Sequence, residues 1–189
     1  MLTPARRRRA LSRPRIGFAV AAATVLAAGA VAVGLIGQPA PSGLSVQRAA
    51  ALTLSPATMA APAESRTQRA QLDVSVGGVP FPYWEEHFGW RSSGARSDRL
   101  AGRAVTTVFY SDAEGRRIGY AIVAGRAPTL RGGTVVKRWG VPYRLLSQDD
   151  ATVVVWQRDG HLCVVSGRGV SPSTLLSLAS WGSERSSTA

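Results

Sequence analysis

The residues with the most chemistry to offer are few and scattered. Glu85 and Glu86 could supply paired carboxylates, and His161 and Cys163 could supply metal ligands with His87 as a third; Asp159, His161 and Ser166 are the residue types of a nucleophilic triad. Spacing argues against each. Adjacent residues on a helix point about 100° apart, so Glu85 and Glu86 cannot straddle one bond and read as a solvated helix face. His161 and Cys163 share one side of a strand, but two or three ligands fall short of a closed zinc site and match no common finger or protease spacing. Asp159, His161 and Ser166 crowd into one hairpin, with no nucleophile elbow and no oxyanion hole to serve them. Gly132-Gly133 and Gly167-Arg168-Gly169 read as turns, because neither sits in the strand-loop-helix setting of a phosphate cradle. The expectation is a non-enzymatic chain with no metal or cofactor, working through binding. The aromatics Trp84, Trp90, Trp139 and Trp156 are then the candidate interaction surface: most such residues build core, and one is expected to rim a groove.

The elements that must position these residues begin with a membrane anchor. Six of the 23 basic residues, Arg6, Arg7, Arg8, Arg9, Arg13 and Arg15, precede the first hydrophobic run, leaving 17 against 11 acidic ones. Half of the net charge of +12 therefore reads as a targeting feature. Anionic headgroups explain this cluster, so nucleic acid is not an expected partner. Residues 16–36 carry no charge, and at about 1.5 Å per residue a helix of that length crosses a hydrocarbon core of about 30 Å. The arginines lie directly before the run, and the next basic residue after it is Arg48. By the positive-inside rule residues 1–15 form a cytoplasmic tail and everything beyond the span is extracytoplasmic. Cleavage as a signal peptide is the competing reading; the run exceeds the usual 7–15 residues of such segments. The lone Cys163 has no partner for an intramolecular disulfide.

Over 37–75 the composition shifts to Ala, Pro, Ser, Thr and Gln, and Pro39, Pro41, Pro56 and Pro62 break long elements. A flexible spacer is expected there, although Val46 to Leu54 could make a helical turn or two. An α+β domain is expected over 76–183, with a disordered tail at 184–189. Val79 to Trp90 predicts an extended lead-in and a short helix stopped by Gly89. Ala104 to Tyr110 and Arg116 to Val123 predict one antiparallel hairpin; Ala151 to Gln157 and His161 to Ser166, joined by Asp159-Gly160, predict a second. Thr134 to Trp139 and Tyr143 to Leu146 offer one or two strands between them. Ser171-Pro172 caps a terminal helix carrying Leu175, Leu178 and Trp181. These elements predict an antiparallel sheet of about four to six strands with the helix on one face, covering Val153, Val155, Leu162 and Val164.

Several runs carry a family resemblance. Tyr83-Trp84-Glu85, Phe88-Gly89-Trp90, Arg96-Ser97-Asp98-Arg99, Thr107-Val108-Phe109-Tyr110 and Gly115 to Tyr120, followed by Trp156 to Cys163 and the Leu175 to Trp181 helix, resemble the extracytoplasmic portion of actinobacterial transmembrane anti-sigma factors. The resemblance implies a single-pass protein of the bacterial cell membrane whose outer domain senses or binds, with a protein partner in a sigma/anti-sigma system. It departs from the family at the inner end. Residues 1–15 are too few for the folded cytoplasmic clamp, often built on a His-x3-Cys-x2-Cys zinc motif, that grips the sigma factor. The alternative is an anchored or secreted envelope module for a lipid, peptide or cell-wall ligand.

Overall fold

The computed structural model describes residues 44–182. Along the chain these form α1 (Val46–Leu54), β1 (Gln71–Val76), β2 (Val79–Pro82), α2 (Glu85–Phe88), β3 (Arg91–Leu100), β4 (Arg103–Ser111), β5 (Arg117–Val123), β6 (Thr134–Arg138), β7 (Val141–Gln148), β8 (Ala151–Arg158), β9 (His161–Arg168) and α3 (Pro172–Ser180). Strands β3 to β9 make one seven-stranded antiparallel sheet in the order β3-β4-β5-β9-β8-β7-β6, and β1 and β2 a separate hairpin. Two-residue turns with both backbones in the left-handed region close several hairpins: Ala101-Gly102, Trp139-Gly140, Asp149-Asp150 and Asp159-Gly160. Their twist matches that of the strands they join.

Both faces of the sheet are covered. On one, Val108, Tyr110, Ile118, Tyr120, Val154, Trp156, Cys163 and Val165 pack with the β1–β2 hairpin and with Leu175 and Leu178 of α3. On the other, Val105, Ala121, Val123, Val153, Val155, Leu162 and Val164 pack with Ala49 and Ala50 of α1. The expected antiparallel domain with a C-terminal helix is therefore present, with more strands than expected.

Two expectations need correction. Within 37–75, the described part is folded: α1 buries Ala49, Ala50 and Thr53, and β1 starts at Gln71. Small side chains, which read as spacer composition, let this helix lie close to the sheet. Secondly, α3 covers Val154, Trp156, Cys163 and Val165 instead of Val153, Val155, Leu162 and Val164. Strand side chains alternate, so a helix on the opposite face meets the other set. Of the four tryptophans offered as an interaction surface, Trp84, Trp90 and Trp156 are core residues and Trp139 is exposed. Arg6, Arg7, Arg8, Arg9, Arg13 and Arg15, expected to form a cytoplasmic tail, the expected span 16–36 and the expected tail 184–189 lie outside the described residues. Among the described residues no helix is long and apolar enough to cross a membrane.

Candidate functional site

Several of the groups weighed for catalysis make contacts within the fold. Glu85 binds Arg91 across the turn after α2, with a shortest separation of 2.7 Å. His161 lies over Gly77, where an added Cβ would stand 2.5 Å from the imidazole ring, and its Nδ1 is 3.4 Å from the Val123 carbonyl oxygen. Cys163, two residues on, is fully buried and receives a 3.5 Å hydrogen bond from the Tyr120 hydroxyl. Burial pushes its thiol pKa up to about 12, so the nucleophilic thiolate is scarce at neutral pH. Ser166 projects to the α1 side of the sheet and bonds Thr53, while His161 lies on the strand's other side; strand alternation separates the two. Among the described residues no group of three or more His, Cys, Asp or Glu is arranged to hold a metal ion.

An open groove lies beside α3. It encloses about 490 Å³ and is lined by His87, Phe88, Arg138, Trp139, Ser177, Ser180 and Trp181. Three elements build it. Helix α2 presents His87 and Phe88, and the Ser171 hydroxyl caps α3 by accepting from the Thr174 N–H at 3.1 Å. At the end of α3, Trp181 stacks on His87 with ring centres 6.0 Å apart and meets Phe88 edge-on at 6.0 Å. The β6–β7 hairpin forms the opposite wall. There Arg138 Nη1 donates to Ser177 Oγ at 3.4 Å, and Trp139, 52% exposed, occupies a turn position with φ of 51°. The other two-residue hairpin tips put Gly, Ala or Asp at that position. A left-handed tryptophan costs on the order of 1–3 kcal/mol relative to an extended one. The groove thus offers stacking surfaces, hydroxyls and a guanidinium, with no acidic residue in its lining: features that suit an aromatic or apolar group bearing a negative charge.

Sequence reasoning expected one tryptophan to rim a groove, and Trp139 does. It missed Trp181 as a wall residue, because its spacing from Leu178 marked it as part of the core stripe. A second, more polar hollow of about 600 Å³ runs along the β1–β2 hairpin, with Asp73 and the Arg158–Asp159 pair in its wall. Compared with protein-family models, with curated proteins and with solved structures, the chain matches none.

Proposed function

We propose that the protein is a membrane-anchored, extracytoplasmic sensory or interaction domain that takes part in anti-sigma-type transmembrane regulation. The observation that carries this reading is α1. In sequence it follows the hydrophobic run 16–36 with only residues 37–45 between, and it is a fitted part of the domain. Gly119 makes the fit possible: an added Cβ would come within 2.2 Å of the Thr53 carbonyl oxygen. Thr53 Oγ1 donates to the Ala50 carbonyl at 2.6 Å, which uses its single proton, so the short bond to Ser166 is donated by Ser166. At the end of the helix Arg117 donates to the Ser55 carbonyl at 2.6 Å and Arg96 to that of Pro56 at 3.0 Å. A change in the domain that alters this docking would reach the chain leading to the anchor, and the coupling would act in both directions.

The test has two arms. A C-terminal alkaline-phosphatase fusion is expected to be active and to remain with membranes; activity in the soluble fraction would favour a cleaved leader. Deleting the gene is expected to change transcription from sigma-dependent envelope-stress promoters severalfold, with rescue by the full chain and not by Gly119→Trp. Unchanged transcription would favour the second reading, an envelope module for a lipid, peptide or cell-wall ligand. The aromatic groove between Trp139 and Trp181 supports that reading.

A further inference from the structure

The two edges of the large sheet are treated differently. At the β3 edge the chain folds back: the Thr58 and Met59 N–H groups both lie 2.9 Å from the Ala95 carbonyl, and the Ala95 N–H donates to Met59 at 3.1 Å. The β6 edge has no strand beyond it among the described residues. Its outward groups follow from the register. The two-residue turn Trp139-Gly140 makes Arg138 and Val141 the closing hydrogen-bonded pair, and alternation makes Val136 with Tyr143 and Thr134 with Leu145 the next ones. Pro142, opposite Lys137, has no N–H to give. Val135 and Lys137 therefore direct their N–H and C=O groups away from the sheet. An open edge of this kind is a template for another strand.

Its side chains say what would pair there. Val135 is 46% exposed, and Trp139 stands at the end of the strand. The β6–β7 hairpin, Thr134 to Gln148, has three basic residues, Lys137, Arg138 and Arg144, and no acidic one. Arg144, opposite Val135, is held over the start of the strand by a 2.8 Å bond to the Gly132 carbonyl. A second copy of the same edge would bring two such clusters together, and like charges across a strand pair are unfavourable.

We infer that β6 is a docking edge for an extended acidic segment of a partner protein, which adds as an eighth strand beside Val135 and Lys137 with its carboxylates toward this basic cluster. Backbone pairing would supply affinity, and the alternate side chains and charge would supply selectivity. The inference rests on the sheet edge alone and stands whether or not the partner belongs to a sigma-factor system.

The test uses the full chain in mild detergent and a fluorescein-labelled decapeptide alternating valine and glutamate, with binding read by anisotropy. Its counterpart with lysine for glutamate, and a version N-methylated on alternate residues along one edge, made in both phases, are the controls. The acidic peptide is expected to bind at least tenfold more tightly than the lysine peptide, and one phase of methylation to abolish binding. Val135→Pro, which removes an outward N–H while leaving the bonds to β7, is expected to weaken binding tenfold or more. Should that variant fail to fold, Lys137→Glu at an exposed position decides, with the same loss expected. Absent binding of the acidic peptide, equal binding of the acidic and lysine peptides, or insensitivity to both variants would overturn the proposal. So would binding to phosphatidylglycerol vesicles without binding to the peptide, which would assign the basic cluster to a membrane surface.

Discussion

At Gly119 a hydrogen where other residues have a methyl decides whether α1 can dock. The Thr53 carbonyl is backbone in a helix and cannot swing aside, so Gly119→Ala should force the helix off by a few tenths of an ångström or more. A destabilisation of about 1–3 kcal/mol is expected, in the range for overpacking a close contact, and a denaturant melt measures it. Thr53→Val tests the polar half of the same contact: it leaves the Ser166 hydroxyl buried without its acceptor and should cost about 1–3 kcal/mol. No loss from either variant would mean that α1 does not depend on this docking. Asp112 governs a different contact, at the turn between β4 and β5, where it accepts from the Arg116 N–H at 2.8 Å and from Arg116 Nε at 2.6 Å. Burial tends to raise its pKa, but the side-chain and backbone hydrogen bonds from Arg116 outweigh this and hold the carboxyl below its ordinary value. A depressed folded pKa gives stability that is present above the unfolded value, about 3.9, and is lost as pH falls through the folded one. Stability should therefore decline on acidification below about pH 4 less steeply in Asp112→Asn than in the parent. Parallel declines in urea melts at pH 5 and pH 3 would remove Asp112 from the account.

At the scale of elements, α3 is the clearest case of burial that a single substitution can weigh. Leu178 is buried against the β8–β9 side of the sheet, and Leu178→Ala should cost about 2–5 kcal/mol in a denaturant melt. A shift below about 0.5 kcal/mol, typical of surface positions, would mean that α3 is held elsewhere. That α3 exists was legible: Ser171-Pro172 marks its start, and leucines follow at helical spacing. Which face it covers was not. Val153-Val154-Val155 and Cys163-Val164-Val165 are apolar without interruption because helices cover both faces, and a run without alternation carries no sign of which set meets which helix. The hairpins at Asp159-Gly160 and around Asp112 were legible from turn chemistry. Strand β3 was not, since Arg-Ser-Ser-Gly-Ala-Arg-Ser-Asp-Arg-Leu is an edge strand defined by its partner β4 and not by its own apolar pattern. The groove was legible only as a single exposed tryptophan, because its walls come from α2, α3 and the β6–β7 hairpin, which no local sequence signal brings together.

For the molecule as a whole, α1 closes the second face of the sheet, and this has a consequence for where the folded domain starts. Without α1, the apolar surface of Ala121, Val123, Leu162 and Val164 loses part of its cover. The carbonyls of Ser55 and Pro56 that Arg117 and Arg96 hold belong to the same chain segment. Burial already lowers the pKa of Arg117, with the nearby Arg96 charge acting in the same direction, so taking away its acceptor would leave a poorly solvated guanidinium with less compensation. A chain of residues 44–182 should therefore unfold cooperatively, whereas one of residues 57–182 should melt at least several degrees lower and bind a hydrophobic dye before it unfolds, as expected of newly exposed apolar surface. Differential scanning fluorimetry and dye titration of the two chains make the comparison. Equal melting temperatures and equal dye binding would make α1 an appendage of the domain, and would remove the route by which a change in the sheet reaches the chain that leads toward residues 16–36.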